Sequence, residues 1–160
     1  MAMVRDAASL MAEAIELAVR NVREGRGGPF AALVVRDGEV LARGTNEVVA
    51  SHDPTAHAEI VAIREACRVL GTHQLLDCEI YASCEPCPMC LGAIYWARPR
   101  CLHYAATKDD AAAAGFDDSL IYDEAARPPA ARRLSTRRLM GEEGRRPFEE
   151  WRRSATRVPY

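Results

Sequence analysis

Cys84, Cys87 and Cys90 stand at a strict spacing of three in SCEPCPMC, and His57-Ala58-Glu59 lies upstream of them. Thiolates and imidazole at such spacing can hold a metal, pair as a disulfide, or belong to a larger cluster. An iron–sulfur run wants a fourth cysteine four residues after the third, followed by proline. Here Ile94-Tyr95 occupies that place. A structural zinc ribbon needs a second CxxC or two histidines at finger spacing, and neither is present. A Cys87–Cys90 disulfide would be redox chemistry, but Pro88-Met89 lies in no thioredoxin-like context. What fits is a catalytic zinc held by His57, Cys87 and Cys90, with the fourth position open to water.

Those ligands need two helix starts that converge. SHDPT reads as a loop, with Asp53 or Thr55 able to cap a helix and Pro54 suited to its first position. The helix AHAEIVAIREACRVL then runs to Gly71. A third helix opens near Pro88 and runs through Trp96, placing Cys87 and Cys90 on one face of its first turn. The helix dipole there favours the thiolate form that binds zinc. Glu59, two residues from His57, faces elsewhere on a regular helix and is a poor fellow ligand. At the first turn it can instead reach a water beside the metal and move its proton. The joined pattern H-x-E with P-C-x-x-C is the zinc deaminase signature. Cys84 is then a small buried bystander.

Around this centre the chain alternates. Met11, Ile15, Ala18/Val19 and Val22 recur at helical spacing before Gly25. FAALVVR and EVLARGTN flank Asp37-Gly38, a hairpin signal. CEIYAS and RCLHYAA read as strands, and DDAAAAGFDDSLIYDEA as helical turns around a Gly-centred loop. RPPAA reads as a linker, RRLSTRRLM as a last strand, and RPFEEWRRSAT as a short helix. The alternation predicts an α/β domain with a mainly parallel sheet and an N-terminal hairpin at one side.

With 160 residues, the chain has room for one compact domain. Its N-terminal segment contains acids throughout and no continuous apolar core, so no signal peptide is expected there, and no stretch reaches membrane-span length. A cytoplasmic address is expected, where structural disulfides are rare and six cysteines point to metal or catalysis. Charge is uneven: from Arg127 onward there are ten arginines against four glutamates. Such a segment is either a nucleic-acid footprint or a solvated helical face.

DPTAHAEIVAIREAC and SCEPCPMCLGAIYWARP resemble the cytidine-deaminase-like superfamily, in the branch that holds guanine deaminases and tRNA adenosine deaminases. The resemblance extends over roughly residues 9–125, and less firmly to the end. TAHAE and PCxMC are shared by both subgroups. GGPFAALVV, the asparagine of GTNEV, AAAAGFDDSLIYDE and FEEWRRSATRVPY resemble the guanine-deaminase side. Ala31 departs from the glycine often found after GGPF.

The resemblance implies a three-layer α/β/α fold with a mixed five-stranded sheet and an N-terminal hairpin. It implies one zinc per subunit on His57, Cys87 and Cys90, with Glu59 as proton shuttle and a small purine base as substrate. Phe30, Asn46, Asp118 and Tyr160 would line the pocket, and Asp117 or Asp118 could instead cap the helix that follows. It also implies a single domain over 1–160 in a homodimer, with residues 127–160 exchanged between subunits. Guanosine, cytosine, an aminotriazine such as ammeline and a tRNA adenosine stay open as substrates, as does a zinc-containing binding protein without turnover.

Overall fold

A computed structural model describes residues 5–160; Met1–Val4, the first residues of the segment read as lacking a leader, lie outside the described residues. The chain divides into two compact units, Met1–Asp118 and Ser119–Tyr160.

The first unit opens with α1 (Ala7–Arg23), capped by the Asp6 carboxylate, which accepts a hydrogen bond from the Ser9 amide at 2.7 Å. Gly25 follows it at φ 66°. The buried stripe is Leu10, Ala14, Ala18 and Asn21, while Ile15 and Val22 are exposed. The helix is thus rolled by about one residue from the stripe its larger apolar side chains suggest. Small Ala14 and Ala18 let it lie close on the sheet, and both stripes carry apolar residues.

β1 (Ala31–Arg36) and β2 (Glu39–Thr45) form the expected hairpin, with Asp37 at φ 52° and Gly38 at φ 79°, the left-handed pair that a two-residue turn requires. A short α2 (Val48–Ser51) precedes α3 (Ala58–Leu70), whose last turn ends on Gly71 at φ 65°. Neither Asp53 nor Thr55 caps α3. The Asp53 carboxylate instead accepts from the Thr55 amide and hydroxyl at 2.8 and 2.7 Å, closing a local turn, and His57 is the N-cap. Then come β3 (Glu79–Cys84), α4 (Pro88–Ala97), β4 (Cys101–Ala106) and α5 (Lys108–Ala113).

Among the described residues the sheet has four strands, in the order β2-β1-β3-β4. Two of its three pairings are antiparallel; only β3–β4 is parallel. The expectation of a mainly parallel sheet therefore needs correcting, though its basis survives. β2, β3 and β4 all point one way, joined by crossover helices α3 and α4, and β1 alone runs against them, inserted between β2 and β3. The five-stranded expectation also fails: RRLSTRRLM forms no strand. Its few apolar residues, Leu134, Leu139 and Met140, show no period of two and are exposed.

The alternation along β1 builds two cores. Ala32 and Val34 face Ala58, Ala62, Ala66, Ile80 and Ile94 beneath α3 and α4. Leu33 and Val35 face Leu10 and Ala14 of α1, with Tyr81. Three layers result, α1 on one face and α3 with α4 on the other. Since α3 follows the end of β2 and α4 follows the end of β3, both helices start at the same sheet edge. Ligand sites of open α/β sheets form at the carboxyl ends of strands for this reason.

The second unit holds α6 (Ser119–Ala126), 3₁₀ turns at Pro129–Ala131 and Glu143–Arg145, and α7 (Arg146–Arg153), the short helix expected there. The expected linker RPPAA becomes the first of those turns. Glu124 organises this unit, accepting from the Arg133 amide at 2.6 Å and pairing with Arg127.

Candidate functional site

His57 and Cys87 are the N-caps of α3 and α4, both in extended backbone, and neither spends its side chain on capping. Pro88 sets the first helical position of α4, and Cys90 follows within its first turn. The His57 Nδ1 atom lies 3.5 Å from the Sγ of Cys87 and 3.5 Å from the Sγ of Cys90. All three donor atoms fall within 4.8 Å of one another. Metal–sulfur and metal–nitrogen bonds of about 2.3 and 2.0–2.1 Å at a tetrahedral angle separate their donors by about 3.5 Å. The observed spacing is that of ligands around a common cation. His57, Cys87 and Cys90 are thus positioned to bind one metal ion.

The protonation pattern matches this. A hydrogen bond from Cys90 and, against the opposing effect of burial, one from His57 bring the Cys87 thiol down to about 4. Cys90 is pushed the other way, by its bond to Cys87 and by burial. The bond to Cys87 raises His57. The three groups share protons that a divalent cation would displace.

Glu59 sits in the first turn of α3, 8 % exposed. Burial raises its carboxyl above the ordinary range, while a bond to Cys90 opposes the shift. A buried carboxyl that holds its proton more tightly beside a metal triad is suited to receive and return one. Cys84 is buried outside the triad, its thiol donating to the Thr107 carbonyl at 3.5 Å, and burial lifts it to about 11.

Phe30 and Asn46 are brought to the same edge by the hairpin. The Asn46 amide donates to the Phe30 carbonyl at 3.1 Å, and the Glu47 amide donates to the carbonyl of Ala56, the residue before His57, at 2.9 Å. The Asn46 Oδ1 accepts from the Val48 amide at a long 3.4 Å, so the turn-forming role of this residue is weakly made. Asp118 is half-buried; burial raises its carboxyl, and the charge of Cys87 adds to the effect. Asp117 is exposed. Tyr160 belongs to the second unit and is exposed.

Three contributors escape a reading of sequence. Phe116 sets its ring edge against Phe30, centroids 5.0 Å apart at 88°. The Ser83 hydroxyl, at the end of β3, accepts from the Ala31 amide at 3.0 Å. Asn21, 2 % exposed, donates from one Nδ2 to the carbonyls of Gly28 at 2.9 Å and Asn46 at 3.1 Å. Its Oδ1 is buried without a partner among the described residues, an arrangement that costs about 1–3 kcal/mol. The one available signal was a polar residue continuing the Leu10–Ala14–Ala18 stripe.

The family model described as the cytidine and deoxycytidylate deaminase zinc-binding region matches residues 4–106. Guanine deaminase of Bacillus subtilis is 52% identical over 152 residues, covering 95% of this chain and 97% of its own. A solved structure of guanine deaminase from that organism superposes with a TM-score of 0.95, covering 98% of this chain and 99% of that one. A tRNA-specific adenosine deaminase of Bacillus subtilis is 35% identical, covering 71% of this chain and 70% of its own. A structure solved in complex with 8-azaguanine is 40% identical with a TM-score of 0.69, covering 72% of this chain and 66% of that one. His57, Cys87 and Cys90 fall within the matched residues, and the chain belongs to the zinc-binding deaminase family of the cytidine and deoxycytidylate deaminases.

Proposed function

We propose that this chain hydrolyses guanine to xanthine and ammonia at a single zinc site. The observation that carries the reading is Glu59, buried beside three donors at zinc spacing, in a chain that aligns nearly end to end with a guanine deaminase. Zinc held by His57, Cys87 and Cys90 would supply a Lewis acid that makes water nucleophilic near neutral pH.

Glu59 takes a proton from the attacking water as its oxygen bonds to C2 of the purine. It delivers that proton to ring nitrogen N3, where it stays, and then carries the remaining proton of the added hydroxyl to the exocyclic amine, so that C2=O forms as the C2–N bond breaks and ammonia leaves. Phe30 offers a flat apolar wall, braced by Phe116. Asn46 hydrogen-bonds the base edge, and Asp118, the less exposed of the two acids, accepts from guanine N–H groups. A site built to pair with guanine's edge leaves polar groups unpaired when adenine enters, which can discriminate by orders of magnitude.

The chain works as a homodimer in the cytoplasm, with residues 127–160 exchanged so that Tyr160 closes a neighbour's pocket. Six cysteines in a chain without a disulfide-rich pattern suit metal binding or catalysis in a reducing compartment. Among the described residues no helix is long and apolar enough to cross a membrane.

The test is ammonia release by the zinc-loaded protein across guanine, guanosine, adenine, cytosine, ammeline and a tRNA anticodon stem-loop. Guanine should lead. Another leading substrate would overturn the roles given to Asn46 and Asp118, and zinc without ammonia release from any of these would overturn the enzyme reading.

A further inference from the structure

We propose that Asn21 is a positioning residue for purine binding: its side-chain amide fixes the distance between Phe30 and Asn46. The proposal rests on the reading of those two residues as pocket walls.

The geometry is specific to an amide. One NH₂ group meets two carbonyls from segments far apart in sequence, Gly28 in the loop before β1 and Asn46 after β2. Gly28 and Asn46 are also tied to Phe30 directly. The Phe30 amide donates to the Gly28 carbonyl at 2.9 Å, and the Phe30 carbonyl accepts from Asn46. The two walls therefore share a hydrogen-bonded frame, and Asn21 closes it from α1.

Close packing makes the frame stiff. A β-carbon on Gly27 would collide with the Asn46 carbonyl oxygen and lie 3.2 Å from the Asn21 Nδ2. One on Gly28 would touch the Phe30 ring at 3.4 Å and the Asn46 Cγ at 3.5 Å. The glycine pair thus lets Asn21 reach both carbonyls at once. Asn21 is 2 % exposed and its Nδ2 group meets two backbone carbonyls, whereas a residue serving α1 packing alone would do as well with an apolar side chain. The two donor hydrogens of the amide are what meet the Gly28 and Asn46 carbonyls, and an apolar side chain would offer neither.

Asn21 touches none of the metal donors, so its effect belongs to binding, not to the metal or the proton shuttle. In Asn21→Leu the orphan acceptor disappears with both donors. We expect KM for guanine and the Kd of 8-azaguanine by calorimetry each to rise about tenfold, as for one or two lost hydrogen bonds. The kcat should stay within about threefold of the parent, with zinc content unchanged. Asn21→Ser, which keeps one donor, should fall between. Combined with Asn46→Ala, Asn21→Leu should add less than its separate effect, because both act through one residue.

Unchanged KM and Kd in Asn21→Leu, with Asn46→Ala impaired, would overturn the proposal and leave the pocket intact. A fall in kcat or zinc content with KM unchanged would do the same, by showing a purely structural role. If Phe30→Ala and Asn46→Ala also leave KM and Kd unchanged, the pocket reading falls and takes this inference with it. Should Asn21→Leu fail to fold, the same readouts on Asn21→Ser decide.

Discussion

Gly44 of β2 lies flush against the carbonyl of Ala58 in α3: a β-carbon there would collide with that oxygen and stand 2.6 Å from the Ala62 amide nitrogen. The missing side chain lets the start of α3 rest directly on the sheet, and that start carries His57 and Glu59. Gly44→Ala must therefore lift the first turn of α3. Overpacking of this kind costs about 1–3 kcal/mol, with a fixed backbone at the upper end. We expect a lower melting temperature together with reduced zinc affinity, measured by thermal unfolding and metal analysis after dialysis. A melting loss with zinc affinity intact would show that α3 yields elsewhere.

Glu59 is separable from the metal. It is not one of the three donors, and the contribution proposed for it is proton movement. Glu59→Gln keeps the shape and removes the base, so zinc content should match the parent while kcat falls by about 10²–10⁴. Loss of zinc in Glu59→Gln would mean that the carboxylate supports the ligands, through its bond to Cys90, more than the chemistry.

The metal site was legible in sequence because its parts are local: a histidine and two cysteines, each at the start of a helix, at spacings that backbone geometry enforces. The sheet was less so. Crossover helices correctly implied that β2, β3 and β4 run alike, but nothing local says that β1 sits between β2 and β3 and reverses two pairings. In α1 the larger apolar side chains mark one stripe, whereas close approach to the sheet buries the alanines of the stripe beside it. Phe116 and Asn21 stayed hidden for a related reason. Their roles depend on partners distant in the chain, Phe30 for one and the Gly28 and Asn46 carbonyls for the other. RRLSTRRLM misled because a few apolar residues among arginines resemble a strand only when the period is ignored.

At the opposite end of β3 a second cluster is expected to contribute to stability in acid. The Glu79 carboxylate accepts from the Tyr81 hydroxyl at 2.8 Å and the Arg100 guanidinium at 2.5 Å, and contacts His103 at 3.2 Å. The Tyr81 and Arg100 bonds, with a smaller contribution from His103, hold its carboxyl below the ordinary glutamate value despite partial burial. A depressed folded-state value means stability that is complete above the unfolded value of about 4.5 and disappears as pH falls through the folded one. Glu79→Gln should therefore flatten the decline in melting temperature between pH 5 and about 3, and Tyr81→Phe should flatten it less. Equal slopes in parent and Glu79→Gln would place the acid sensitivity in other carboxylates.

The exchange of residues 127–160 between subunits can be tested by complementation. A chain ending at Ala126 keeps His57, Glu59, Cys87 and Cys90, so it should bind zinc; if residues 127–160 close the pocket, it should be inactive. Full-length Glu59→Gln has the segment and lacks the base. If each segment closes a neighbour's site, mixing the two after partial unfolding and refolding yields hybrids in which an intact site meets an intact segment. Activity should then appear that neither parent has, and rise with the fraction of hybrid. If each segment closes its own site, the truncated subunit stays open and the full-length one stays without its base, so every mixture remains inactive. A truncated chain that is fully active by itself would remove the closing role altogether. Zinc content measured on the hybrid separates these outcomes from simple misfolding, because the exchange hypothesis requires the metal to be retained in both kinds of subunit.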